Sequence, residues 1–296
     1  MGTSKRYGGP SNGLVPSFVE DPPLPTFPDP SVPPVQPTPP DGQGTPSPQP
    51  QPTQRPELDP QPIPSRPDTS GAGELRGARS NFTRFSRTGS RSALGKALSN
   101  YVRTGTGGSQ RAARRMGSSR VTAQRLLGVI RDFQRGGPVE ALSQFNLSTF
   151  AGHSAADVFT AILEFVCPPG GSVDEAIARQ AMMESIGDMA EAGIGSFDTL
   201  TPEQRQDFFL DFVAYSIEGR VMSDIGSRGI MLPDDIAAVE NAQIQLHDFV
   251  TGATRGQLSG RLSSVGSLSD RDIETVVKQI YEIAFELVAL AGEASI

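Results

Sequence analysis

The sequence has no tryptophan, one cysteine and two histidines in 296 residues. Cys167, being alone, cannot form an intramolecular bridge, and a secreted disulfide scaffold is excluded. It ends an apolar run before Pro168-Pro169 and reads as a small buried hydrophobe. His153 and His247 have no neighbouring cysteine and no metal-ligand spacing, so neither a metal nor a cofactor is expected. The first residues lack the apolar centre of a signal peptide. The longest apolar stretch, residues 280–291, is too short for a membrane span and is interrupted by Glu282 and Glu286. A cytoplasmic location is expected. Proline is scarce over most of the chain, with 21 of the 26 in residues 1–69. The part able to fold is therefore about 220 residues, enough for one sizeable core.

Acidic groups are nearly missing from one segment. Residues 70–135 carry two acidic and 14 basic side chains, residues 1–69 seven and four, and residues 136–296 twenty-four and eight. The net charge of −7 thus conceals segments of −3, +12 and −16. Four regions follow: a glycine-rich tip (1–10), a proline-rich tether (11–70), an arginine-rich, partly helical segment (71–137) and an acidic helical domain (138–296). In the tether, proline removes backbone donors and biases its predecessors to extended geometry, which predicts a disordered tail with polyproline II character. Its Pro-x-x-Pro triplets follow from composition alone.

From residue 71 on, the periodicity is helical and no alternating run bounded by turns occurs, so the class is all-α with about 7–8 helices. In the arginine-rich segment the spacing predicts helices over 90–102 and 118–135. The second is capped by Ser118 or Ser119 and ended by Gly136-Gly137-Pro138, and residues 104–109 between them read as a flexible loop. Further on, Ser154 caps a helix, Ser172-Val173-Asp174-Glu175 and Thr201-Pro202-Glu203-Gln204 form capping boxes, Asp234 or Asp235 opens another helix, and Ser269 opens the last.

No catalytic constellation can be assembled, and the chain is expected not to be an enzyme. The stretch 89–97 looks faintly like a phosphate loop. Its spacing is one residue too long, and Ala97 stands where a hydroxyl would hold magnesium. His247 lies beside Asp248, but neighbours on a helix do not face each other. The acidic residues at helix starts, such as Asp174, Glu203 and Asp270, are explained by the helix dipole. The arginines are the candidates inside the folded part, above all Arg84, Arg87, Arg91, Arg111, Arg114, Arg115 and Arg120. With Phe82, Phe85 and Tyr101 among them they suit phosphates and stacked bases, which makes a nucleic-acid-binding adaptor using residues 76–135 the alternative function. Folding back onto the acidic body, or binding an acidic partner, would use the same charge.

The tip, Met1-Gly2-Thr3-Ser4-Lys5-Arg6-Tyr7-Gly8-Gly9-Pro10, has little to bury, so folding does not explain its composition. Gly2 is small enough for Met1 to be removed, leaving a glycine α-amine on a long arm. With a pKa near 8, roughly a tenth of such an amine is neutral at pH 7, against well under ~0.1% of a lysine. Myristoylation would ask for Ser or Thr at position 6, where Arg6 stands.

Gly2-Thr3-Ser4 with Tyr7-Gly8-Gly9-Pro10 and Leu14-Val15-Pro16-Ser17 resembles the start of the QatB family, the non-enzymatic component of four-part Qat anti-phage defence systems of bacteria. Ser80-Asn81-Phe82-Thr83-Arg84-Phe85 and the run from Gln110 to Arg120 are similar to it as well. The resemblance implies three partners: an ATPase, a TatD-like nuclease and a QueC-like enzyme that adenylates a deazaguanine carboxylate and normally delivers ammonia to it. It further implies that the Gly2 amine takes the place of ammonia, with Thr3, Ser4, Tyr7, Gly8 and Gly9 recognised by the partner.

Overall fold

The computed structural model describes residues 75–167, 171–226, 236–262 and 264–295. All of these lie in the second of the two units into which the chain divides, 64–296. The tip, the proline-rich tether and the start of α8 expected at Asp234 or Asp235 lie outside the described residues.

Nine α-helices follow one another among the described residues, with no β-strand: α1 (Arg76–Thr88), α2 (Arg91–Asn100), α3 (Ser109–Arg114), α4 (Gly117–Ser143), α5 (Ala155–Val166), α6 (Val173–Glu191), α7 (Pro202–Gly226), α8 (Ile236–Leu258) and α9 (Asp270–Ala294). The expected all-α class is what the chain adopts. None of these helices is long and apolar enough to cross a membrane.

Most starts are those that the capping residues announce. Ser90, Ser154, Ser172 and Ser269 each accept a hydrogen bond from the backbone N–H three residues on, and Ser172/Glu175 and Ser269/Asp272 form complete capping boxes. Thr201 and Gln204 reciprocate in the same way at 2.9 and 3.2 Å, with Pro202 at the first helical position.

Three local expectations are corrected. Neither Ser118 nor Ser119 caps α4, which begins at Gly117 after Met116 with no side-chain cap, and Ser119 is buried within it. Gly136-Gly137-Pro138 does end a helical stretch, as expected: Gly137 takes φ 82° and ψ −175°, outside the helical range, and a second stretch starting at Pro138 completes the span given for α4. Residues 104–109 are no simple loop, because Tyr101–Gly105 forms a π-turn and α3 begins at Ser109. Finally α1 was not expected at all. It has no acidic first turn and no side-chain cap, but Leu75, Ala78, Phe82 and Phe85 recur at 3-4-3 spacing and are all buried.

One hydrophobic cluster runs through all nine helices, so the arginine-rich segment and the acidic helices share a core. α7 and α9 sit at its centre: α6, α8 and α4 pack on α7, and α2, α3, α4 and α8 on α9. Aromatic rings fill one end, where Phe159 stacks on Phe208 at 4.0 Å and meets Phe197 edge-on at 5.6 Å. Nearby the buried Arg205 guanidinium lies 4.1 Å over the Phe133 ring. At the other end α2 crosses α9 at Gly95 and Gly292, close enough that backbone touches backbone. That contact accounts for Gly95 in the phosphate-loop-like stretch, and Ser90 there is the α2 cap.

Candidate functional site

Two surfaces carry polar chemistry, and the arginine-rich one comes first in the chain. Tyr101 is fully buried and donates its hydroxyl to Asp224 Oδ2 on α7 at 2.9 Å. Burial, then the Asp224 charge, push the phenol well above its ordinary pKa, so it is a permanent donor. Arg115 reaches the same carboxylate at 3.0 Å and Arg220 reaches it at 3.3 Å. Arg79 donates to the backbone oxygens of Asp224 and Ile225, both at 3.2 Å, and Arg125 to that of Phe165 at 3.1 Å. These guanidinium groups thereby close the carbonyl ends of α7 and α5, where the helix dipole favours a cation. Arg103 spans Glu286 and Glu293 on α9 at 2.8 and 2.9 Å, and Arg135 donates to the backbone oxygens of Gly266 and Leu268.

Much of the basic charge therefore ties α1–α4 to the acidic helices. Of the arginines singled out from sequence, Arg115 is bound to Asp224, and Arg120 has a buried Nε without a partner among the described residues. Arg84, Arg87, Arg91, Arg111 and Arg114 are exposed on α1, α2 and α3. The aromatic part of the nucleic-acid expectation is overturned: Phe82, Phe85 and Tyr101 are each 1% exposed or less. They are core residues and offer no ring to a base.

The second surface was not foreseen. α6 and α8 both pack on α7, and the groove between them is floored by Asp207, Asp211, Tyr215, Glu218 and Met222. Their 4-4-3-4 spacing puts them on one face of α7, a mostly polar stripe beside the buried aromatic and aliphatic side chains of the same helix. This was the signal that sequence reading passed over. The groove has two halves that share His247. One, of about 450 Å³, is lined by carboxylates: Asp188 from α6, Asp207 and Asp211 from α7, Asp248 from α8. The other, of about 600 Å³, is more apolar, with Val173 and Ile177 of α6, Met222 of α7 and Ile244 of α8, with Glu184 at its edge and Glu218 on its floor. Val173 and Ile244 are 63% and 58% exposed, more than a core-facing side chain would be.

His247 joins the halves. Its ring stacks on Tyr215 at 4.1 Å, Nδ1 faces Glu218 at 3.3 Å, and Nε2 lies 3.3 Å from the Thr251 hydroxyl. Tyr215 in turn donates to Asp188 at 2.6 Å. Burial alone would lower the His247 pKa. The Glu218 contact and the nearby charges of Glu218, Asp188 and Asp211 outweigh it and hold the imidazole above its ordinary value. A histidine so raised stabilises the fold fully below the unfolded value of roughly 6.5 and ceases to as pH climbs through the folded value. Urea unfolding midpoints are thus expected to fall as pH rises above about 6.5, and H247Q to flatten that part of the profile. An unchanged slope in H247Q would remove the assignment. At the carboxylate end Arg255 pairs with Asp207 and Asp211. Among the described residues no group of three or more His, Cys, Asp or Glu side chains could hold a metal ion.

A family model described as Qat anti-phage system associated protein QatB matches residues 107–288, more than half of the chain. The chain belongs to the QatB family. The match begins at Gly107, so it covers the Gln110–Arg120 run, most of the body and the whole α6–α8 groove, and leaves out the tip on which the sequence likeness was first read. A QatB-family chain is a component of an anti-phage defence system, which implies partner proteins of that system. Nothing matches among curated proteins or among solved structures.

Proposed function

We propose that the chain is a non-catalytic adaptor of its defence system and the substrate of the system's QueC-like enzyme. With Met1 removed, the neutral Gly2 α-amine attacks the carbonyl carbon of the adenylated deazaguanine carboxylate. The ammonium proton leaves first; the C–N bond then forms as the bond to AMP breaks, and the nitrogen gives up a second proton to leave a neutral amide and free AMP. Thr3, Ser4, Tyr7, Gly8 and Gly9 are the recognition sequence, and residues 11–70 are the arm that carries the tip into the enzyme's cleft. The helical body is what the partners hold, the ATPase and the TatD-like nuclease being further candidates, in the cytoplasm. The family match is the observation that supports this reading, because it makes the chain a component of a defence system that has partner proteins. The low pKa of an α-amine supports the choice of Gly2 over Lys5 as nucleophile.

Intact mass of the protein co-produced with the QueC-like enzyme is the test. The expected spectrum shows one deazaguanine acyl group added and Met1 lost, with fragment ions placing the group on Gly2. A protein carrying Gly2 unmodified after co-production would end the proposal.

A further inference from the structure

Two hollows that share His247 follow the α7 stripe from Asp207 to Met222, on the order of 22 Å at 1.5 Å per residue, with the Tyr215 and His247 rings between them. That is the length of a four-turn helix, and a groove walled by two helices on the floor of a third is the shape an amphipathic helix fills. Its two ends differ in chemistry. Exposed Val173 and Ile244, with Met222 beneath, mark the apolar end. Around the two hollows stand the carboxylates Glu184, Asp188, Asp207, Asp211, Glu218 and Asp248, against the Arg255 guanidinium and the His247 imidazole. Arg255 already shows how a guanidinium seats there, between Asp207 and Asp211. Asp248, by contrast, is exposed on the rim.

Charge decides among the occupants. The chain's own first 69 residues carry seven acidic and four basic groups, which suits a groove of this sign poorly. Its arginine-rich helices are largely tied into the fold, and the outward face of α1 presents Arg76, Ser80, Arg84 and Arg87 with no apolar residue to fill the Val173–Ile244 end.

We infer that this groove docks a basic amphipathic helix of a partner protein, with apolar side chains at one end seated among Val173, Met222 and Ile244, and lysines or arginines at the other meeting Asp188, Asp207 and Asp248. The site uses no residue of the tip, and its occupant is distinguished from nucleic acid by needing both an apolar and a cationic half.

Fluorescence anisotropy with the full-length chain tests this. The probe is a labelled helical peptide of about 18 residues, leucine on one face in its first half and arginine in its second. Saturable binding that weakens with salt is expected. Ile244→Glu, and separately Glu184→Lys with Asp248→Lys, should each weaken it by about tenfold or more. Glu274→Lys, on the exposed surface of α9, should not, nor should deletion of residues 1–10. These substitutions are at exposed positions, and circular dichroism checks that each variant is folded. Three results would overturn the inference: no binding of the peptide at low salt; an equal loss in Glu274→Lys, which would mean attraction by net charge alone; or a self-dimer in sedimentation equilibrium that Ile244→Glu dissolves, which would make the groove a contact between copies.

Discussion

Gly292→Val is expected to cost about 3 kcal/mol or more of stability, at the upper end of what overpacking does in a core. The reason is what a side chain would meet. A Cβ built on Gly95 stands 2.8 Å from the backbone oxygen of Gly292, and one built on Gly292 stands closer still to the backbone oxygen of Gly95. Backbone cannot rotate away as a flexible side chain can, so α2 and α9 would have to part. Their separation would expose Leu94, Leu98, Phe285 and Val288, all buried at this crossing of central helices. It would also stretch Arg103 from Glu286 and Glu293. A companion substitution of the same type gives the opposite sign. Gly128 lies inside α4 with ordinary helical backbone, and nothing stands within 4 Å of an added Cβ. Gly128→Ala is therefore expected to stabilise by up to about 1 kcal/mol, the difference in helix propensity. Urea unfolding of the two variants with unchanged m-values measures both. A neutral Gly292→Val would mean that α2 and α9 can part at this crossing without loss of core packing.

Helix starts were legible wherever a side chain makes them, because capping is local chemistry: Ser154, Ser172, Thr201 and Ser269 announce their helices within four residues. What needed three dimensions was the fate of charge. The excess of arginine before residue 136 and of carboxylate after it suggested complementarity, but spacing could not say that Arg79 and Arg125 close helix ends, or that Tyr101, Arg115 and Arg220 converge on Asp224. The aromatics among the arginines misled for a related reason. Phe82 and Phe85 obey a core spacing that the surrounding glycine and arginine mask, so α1 was missed and its rings were assigned to a ligand. Gly95 shows a third limit, since a glycine required by a neighbouring helix leaves no trace in its own helix. The groove could have been glimpsed from Asp207, Asp211, Tyr215 and Glu218 lying on one face of α7. The face of α6 and α8 that meets it depends on how three helices pack, and no local pattern encodes that.

Removal of residues 2–10 is expected to reduce phage protection to the level of cells lacking the system, with the unfolding midpoint of the body unchanged. The core of the described helices is built from residues 75 onward, well away in sequence from the deletion. Gly2→Lys sharpens the test. Its long side chain keeps Met1 in place, so the α-amine of glycine is never presented while the rest of the tip is intact. Loss of protection in both variants, with the acyl group missing from the intact mass, is the outcome the proposed function requires. The rival reading, that the arginines act on nucleic acid, predicts the reverse order of sensitivity, and the structure determines which arginines can test it fairly. Reversing Arg115 breaks the pair with Asp224, and reversing Arg120 puts a charge of the wrong sign where its Nε is buried, so either would lower protection through folding alone. Arg84, Arg91, Arg111 and Arg114 are exposed, and their joint reversal to glutamate changes the surface by eight charges while the core stays intact. Full protection by that variant beside none by Gly2→Lys would assign the activity to the tip. The opposite pair of results would assign it to the arginine face, and the acylation proposal would fall with it.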